Sequence, residues 1–170
     1  MLKTLETERL ILRPLAEDDA PFMLELLNEP SYIQNIGDRK VRTLEGAKVH
    51  ISKGPVASYT ANGFGLSLVM LKETGEPIGI CGLIKRDTLD DVDIGYAFVP
   101  RFWSKGYAAE SAFAVKKFAR EDIGLKRIVA NTNPDNWGSI RVLEKIGMKF
   151  ETMVRLSKDD IELKLFSVDL

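Results

Sequence analysis

The residues that could do chemistry cluster around one strand-to-helix passage. In the run Phe98-Val99-Pro100-Arg101-Phe102-Trp103-Ser104-Lys105-Gly106-Tyr107-Ala108-Ala109-Glu110, a strand-like stretch stops at a proline and a helix-like stretch starts among small residues. The first N–H groups of a helix lack partners within it, and its dipole adds partial positive charge. An anion such as a pyrophosphate can therefore bind there without a basic side chain. Gly106 and Ala108 would let such a ligand approach the backbone closely, although an ordinary strand-to-helix turn has the same composition. Asn136 and Ser139 lie one turn apart on the next helix-like stretch and can face one ligand. Asn136 can equally cap that helix, and Ser139 can bond its own helix backbone. Asp93 precedes the loop and Glu110 follows it, the two carboxylates nearest to it.

Other reactive residue types point to bland roles. Cys81 is the sole cysteine and sits in the apolar run Ile78-Gly79-Ile80-Cys81-Gly82, so it reads as a small core residue, with no disulfide framework. With His50 as the lone histidine, no zinc site or Cys/His pair is expected, and the metal expectation is none. The chain lacks a Gly-x-x-x-x-Gly-Lys-Ser/Thr loop, which argues against a nucleotide triphosphatase. Arg141 and Lys145 could reach a phosphate, but read as exposed helix charges.

Hydrophobic periodicity supplies the elements that must position these residues. Strands are expected at Arg9–Leu15, Gly65–Lys72, Pro77–Arg86, Asp91–Val99, Arg127–Asn131, Met148–Leu156 and Asp160–Val168. Helices are expected after Glu17-Asp18-Asp19, at Thr43–Lys53 with Thr43 as cap, at Ser104–Arg120, and at Asn136–Ile146 before Gly147. In the first helix Ala16, Ala20, Met23 and Leu27 form a stripe; in the third, Ala108, Ala112, Val115 and Ala119 do. This order makes the first half of the sheet antiparallel and the middle a parallel strand-helix-strand unit.

The chain has 170 residues, 45% hydrophobic and 29% charged, which suits one domain, 1–170, with a substantial core. Its net charge of −1 gives no field that favours nucleic acid or an anionic membrane. The polar start at Met1-Leu2-Lys3-Thr4 carries no signal-peptide core, and no apolar run reaches the roughly 18 residues of a spanning helix; cytoplasmic residence is the expectation.

Pro100-x-x-Trp103-Ser104-Lys105-Gly106-Tyr107-Ala108-x-Glu110 resembles the acyl-CoA loop of GNAT-superfamily N-acetyltransferases of the RimJ/RimL-like branch. Glu6-Thr7-Glu8-Arg9-Leu10-Ile11-Leu12-Arg13-Pro14-Leu15 resembles that branch's opening strand, and Asp93-Ile94-Gly95-Tyr96 its strand before the loop. Pro134-Asp135-Asn136-Trp137-Gly138-Ser139-Ile140-Arg141-Val142-Leu143-Glu144-Lys145-Ile146-Gly147-Met148 resembles its following helix. Trp103 and Ser104 depart from the wider pattern, Ser104 standing where this branch usually has glycine. A positive φ there would carry a cost.

The resemblance implies an α/β (α+β) GNAT fold whose mixed central sheet of about seven strands is splayed at the acetyl-CoA site and flanked by helices. It implies acetyl-CoA as cosubstrate and an amine as acceptor, with a protein N-terminus such as that of a ribosomal protein, or a small amine, as the candidates. Amides from about Ser104 to Ala109, within the set Trp103, Ser104, Lys105, Gly106, Tyr107, Ala108 and Ala109, would hold the pyrophosphate. Phe98 and Val99 would offer backbone groups to the pantetheine and the acetyl carbonyl, Asn136 would bond the CoA arm, and Ser139 would lie near the sulfur. Asp93 is the first candidate base. The acceptor would enter near Ser31–Gly37 and the turn Ser157–Asp160. An exposed final strand could support a homodimer. A non-catalytic acyl-CoA-binding module on the same fold, or a structural protein without CoA affinity, are the rival expectations; no direct nucleic-acid or membrane partner is expected.

Overall fold

The computed structural model describes residues 2–170. One mixed eight-stranded sheet organises them, in the order β1-β2-β3-β4-β5-β6-β8-β7. The strands are β1 (Leu5–Glu6), β2 (Leu10–Pro14), β3 (Leu66–Leu71), β4 (Pro77–Ile84), β5 (Val92–Phe98), β6 (Arg127–Thr132), β7 (Lys149–Val154) and β8 (Leu163–Asp169). The helices are α1 (Ala20–Asn28), α2 (Pro30–Asn35), α3 (Leu44–Ile51), α4 (Ala57–Asn62), α5 (Tyr107–Glu121) and α6 (Trp137–Lys145). Every neighbouring pair is antiparallel except β5 and β6. The mixed sheet and its parallel strand-helix-strand unit thus match the expected fold, and the eighth strand is the two-residue β1.

Differences from the expected elements have local causes. Helix α3 does end near Lys53, but the chain continues through a π turn, Ser52–Val56, into α4. Pro55 removes a backbone donor there, and a wider turn accommodates the loss. Thr43 caps α3, its hydroxyl accepting from Gly46 N at 3.0 Å. In α1 the stripe is Ala20, Met23 and Leu27, all nearly inaccessible, while Ala16 is exposed. The chain turns into α1 on the Asp19 carboxylate, which takes Arg13 in a two-pronged pair at 2.7 and 2.8 Å and Ala16 N at 2.9 Å. Ile161 lies outside β8 and is exposed. No described helix is long and apolar enough to cross a membrane.

Helices α5 and α6 lie on the same face of the sheet. Tyr96 of β5 sits opposite Cys81 of β4; the Cys81 thiol meets the Ser111 hydroxyl of α5, and the Tyr96 hydroxyl meets Ser139 of α6. Lys116 Nζ on α5 donates to Ile146 O beyond α6 at 2.8 Å, tying the two helices together. The face of β5 carrying Val92, Ile94, Tyr96 and Phe98 is therefore the helix-covered one. On its small face a Cβ at Gly95 would come 2.8 Å from Ile84 Cδ1, so a neighbouring side chain already fills that space.

Apolar burial dominates the stability of this arrangement. Leu10, Leu12, Ile51, Ile78 and Ile128 are fully buried, and each such side chain contributes about 1.5–3 kcal/mol. Exposed ion pairs such as Lys3–Asp122 or Arg101–Glu25 contribute about 0–1 kcal/mol each. Cys81 belongs to this core, and burial pushes its thiol up to about 12. The native protein should accordingly show no rapid reaction with a thiol-directed reagent at neutral pH. A full equivalent appearing only in denaturant would agree with that placement; fast native labelling would contradict it.

Candidate active site

β5 and β6 pair at only two positions, Val92 with Ile128 and Asp93 with Val129. Beyond them β5 stays with β4 as far as Phe98, and β6 stays with β8 as far as Thr132, so the sheet opens into a V. Val99 N donates to Ile78 O on β4 at 3.1 Å. In an antiparallel ladder both backbone polar groups of alternate residues point to the same side. Those of Ile94, Tyr96 and Phe98 therefore point into the V. Val99 differs from expectation: its N–H is held by Ile78 and its carbonyl accepts from Phe102 N at 2.9 Å, so its backbone faces away from the gap. Phe98 lies at the mouth, where its carbonyl accepts from Trp103 Nε1 at 2.8 Å.

The chain then passes through a single turn, Pro100–Phe102, into the loop before α5. Ser104 has φ 60° and Gly106 φ 85°, both left-handed. Among the described residues no acceptor is found for the N–H groups of Ser104, Lys105, Gly106, Tyr107, Ala108 or Ala109; the next, Glu110 N, closes on Gly106 O at 3.0 Å. A run of unpartnered amides at the start of a 15-residue helix has the backbone donors and the dipole direction that suit an anion. Ala108, expected in the buried stripe of α5, is only half-buried and Ala109 takes its place. This leaves Ala108 beside the loop.

On the other wall of the V, Asn136 caps α6, its Oδ1 accepting from Ser139 N at 3.1 Å. Its amide nitrogen has no acceptor among the described residues and remains able to donate to a ligand. The Ser139 hydroxyl lies 2.9 Å from the Tyr96 hydroxyl, which also donates to Ser139 O at 3.1 Å. Burial raises the Tyr96 phenol above its ordinary range, so it remains a neutral donor. An open strand edge leads from these hydroxyls to a ring of free amides, a track with hydrogen-bonding groups at both ends.

The sequence profile of the acetyltransferase (GNAT) domain matches residues 9–149 of this chain. The chain belongs to the GNAT acetyltransferases. It is 31% identical over 145 residues to YnaD of Bacillus subtilis (strain 168), an uncharacterised N-acetyltransferase, covering 85% of this chain and 82% of the relative. An acetyltransferase of Agrobacterium tumefaciens str. C58 superposes with a TM-score of 0.84 at 28% identity, over 99% of this chain and 95% of the other. RimL, a ribosomal L7/L12 α-N-protein acetyltransferase solved with coenzyme A, superposes with a TM-score of 0.85 over 99% of this chain and 98% of its own; at 17% identity this likeness shows the fold. The enzyme uses acetyl-CoA as cosubstrate, and the V and its amide-lined mouth have the groups such a molecule needs.

Asp93 of this acetyltransferase sits at the vertex of the V, on the face opposite Ser139. Its carboxylate is buried to 1% exposure. One oxygen accepts from Arg86 Nε at 2.6 Å and from Asn131 Nδ2 at 3.0 Å, the latter bridging β5 to β6 just beyond the last paired rung. The other oxygen, Oδ1, has no partner. Burial pushes the carboxyl up to about 6, against the opposing pull of Arg86 and Asn131. Glu110, the other carboxylate of the loop region, is fully engaged by Thr7 and Arg9 and is not free to take a proton. Arg141 and Lys145 are exposed, as expected.

Tyr96 was invisible to sequence reasoning as a site residue, because its alternation on β5 marked it only as one of several bulky residues. Its partner, Ser139, is 43 residues away. Near Ser31–Gly37, where the acceptor is expected, Asn133 Nδ2 donates to Gln34 O at 3.3 Å, tying the end of α2 to the segment that follows β6. The turn Ser157–Asp160 closes on itself, Asp160 N donating to Ser157 O at 3.3 Å, and Arg155 Nη1 donates to Asp160 O at 3.1 Å from before the turn.

Proposed function

We propose that the acetyltransferase, with its whole chain acting as one domain, transfers the acetyl group of acetyl-CoA to the α-amine of a protein N-terminus. The observation that carries the donor half is the V between β5 and β6 ending on the unpartnered amides of Ser104 to Ala109. The choice of acceptor follows the resemblance of the linear motifs to the RimJ/RimL-like branch; RimL and a ribosomal-protein-S5-alanine acetyltransferase of Vibrio fischeri share the fold. A small amine is the second reading. It is favoured by 28% identity, over 154 residues, to the FsC-acetyl coenzyme A-N(2)-transacetylase of Aspergillus fumigatus, of which the alignment covers 64%.

The donor supplies an electrophilic thioester carbonyl and a leaving thiolate; the chain must bind it, polarise the carbonyl and manage two protons. The loop amides hold the pyrophosphate, and backbone groups of Ile94, Tyr96 and Phe98 bond the arm as an added strand would, with an amide polarising the carbonyl. Asn136 donates its side-chain amide to the arm. The Ser139 hydroxyl, oriented by Tyr96, gives its proton to the departing sulfur and regains one from the attacking nitrogen, which sheds its second proton as the amide forms. Asp93, through its free Oδ1 and an intervening water, accepts the proton of the ammonium, leaving a neutral amine to attack.

Thiol release should be followed across N-terminal peptides and small amines at saturating acetyl-CoA. Turnover confined to peptides supports the proposal, turnover confined to a small amine moves the acceptor to the second reading, and binding without turnover in either group removes the catalytic reading. Ser139→Ala should lower kcat about 10–100-fold with little change in acetyl-CoA affinity. An unchanged kcat would take Ser139 out of the proton path.

A further inference from the structure

The loop before α5 is held in a conformation it would not keep alone. A non-glycine residue in the left-handed region is strained, and Ser104 is such a residue, at φ 60°. Several N–H dipoles aimed at one place also repel one another until an anion arrives. Something outside the loop must fix it beforehand, or donor binding would have to supply the ordering.

The turn between β1 and β2 is built to do this. Thr7 N donates to Leu10 O at 3.0 Å and Leu10 N donates to Thr7 Oγ1 at 3.0 Å, which shapes the turn. From it Thr7 Oγ1 donates to Glu110 Oε1 at 2.6 Å, and Arg9 N to the same oxygen at 2.9 Å. The Arg9 guanidinium takes Glu110 Oε2 from Nε and Nη2, each at 2.7 Å. Its remaining nitrogen, Nη1, donates to Lys105 O at 3.0 Å inside the loop. The guanidinium plane lies 4.5 Å from the centre of the Tyr107 ring, and its Nη2 is 3.3 Å from where a Cβ on Gly106 would stand. One carboxylate thus receives four donors from a segment about a hundred positions earlier, and the same arginine grips the loop backbone.

We propose that Thr7 and Arg9, acting through Glu110, are positioning residues that hold the acyl-CoA loop in its phosphate-binding conformation before the donor arrives. This rests on the reading that the amides of Ser104 to Ala109 bind the pyrophosphate. The contribution of the contacts to overall stability is small, because Arg9 is 43% exposed and solvent screens such a pair. Their effect is concentrated on the loop, where preorganisation becomes affinity.

The test compares two donors: acetyl-CoA, and S-acetylpantetheine, which carries the thioester and arm but no pyrophosphate. Glu110→Ala and Thr7→Val should each raise the KM for acetyl-CoA, by tenfold or more for Glu110→Ala, while kcat/KM with S-acetylpantetheine stays within twofold of the parent enzyme. Arg9→Lys keeps the charge but loses the fork to Glu110 and Lys105, so it should fall with the other two; Thr7→Ser keeps the hydroxyl and should behave as the parent. Equal losses with both donors would overturn the proposal, since a general structural defect does not distinguish them. An unchanged acetyl-CoA KM in Glu110→Ala, or full activity in Arg9→Lys, would overturn it as well. If Glu110→Ala does not fold, Thr7→Val and Arg9→Lys carry the comparison. Gly106→Glu separates the two levels: a normal acetyl-CoA KM in that variant would remove the loop reading itself, whereas its loss beside a normal Glu110→Ala removes only the positioning role.

Discussion

Gly106→Glu is expected to abolish detectable acetyl-CoA binding, a loss of at least about 100-fold, or about 2.7 kcal/mol. Three effects act together. Gly106 has φ 85°, a conformation that L side chains rarely adopt. An added Cβ would stand 3.3 Å from Arg9 Nη2, so the guanidinium that grips the loop would have to shift. The new carboxylate would occupy the anion site and repel the pyrophosphate. Gly106→Ala isolates the first two, since it adds strain without charge, and should lose roughly tenfold. Calorimetric titration of both variants with acetyl-CoA, beside near-ultraviolet circular dichroism to verify folding, measures these differences. Undiminished affinity in a folded Gly106→Glu protein would show that the pyrophosphate binds elsewhere.

Asp93→Asn should lower kcat roughly 100-fold or more, the range expected for losing a general base. The wild-type enzyme should show an acid limb in kcat/KM near pH 6, because the carboxyl is pushed up to about 6 and only its ionised form accepts a proton. Activity thus rises with pH through that value, and the limb should vanish in Asp93→Asn. Arg86 pulls the carboxyl down, so Arg86→Met should move the limb to higher pH. The effect on stability has the opposite sign to that on activity. With a folded value above the unfolded one of about 3.9, protonation favours the folded state; the contribution is present below about pH 4 and lost as pH rises through about 6. Removing one partner of a buried ion pair costs about 3–5 kcal/mol, and Asp93→Asn leaves Arg86 unpaired. The double variant Asp93→Asn with Arg86→Met removes both charges and should recover stability but not kcat. A double variant with normal kcat would assign Asp93 to the fold alone.

Most of the donor site was legible in the linear sequence because its signals are local. Pro100 stops β5, Gly106 permits the left-handed backbone of the loop, and the alternation of Val92 to Phe98 marks a strand. Helix limits at Thr43, Gly124 and Gly147 follow from capping chemistry within a few residues, with Gly124 and Gly147 at φ 80° and 88°. The same locality explains the misses. Helix α4 follows a turn of unusual width around Pro55, and β1 is too short to show alternation. Asn136 could be read as cap or ligand group, and its two side-chain atoms allow both: the oxygen caps α6 while the nitrogen stays free.

Sequence alone therefore determined most of the elements and the order that makes the sheet mixed, since each depends on residues close together in the chain. The kind of donor came from the resemblance of the loop and its flanking motifs to the GNAT family. Only the tertiary structure decided which groups meet. The V exists because β6 follows β8 rather than β5 after two rungs, a balance of pairing that no segment encodes by itself. Tyr96 joins Ser139 from a separate element, and Asp93 is buried against Arg86 and Asn131 on the opposite face. Glu110 is withdrawn from proton transfer by Thr7 and Arg9, whose partner lies 101 residues from Arg9 along the chain. Burial and long-range hydrogen bonds set the charge and availability of each side chain, and both arise only when distant segments pack.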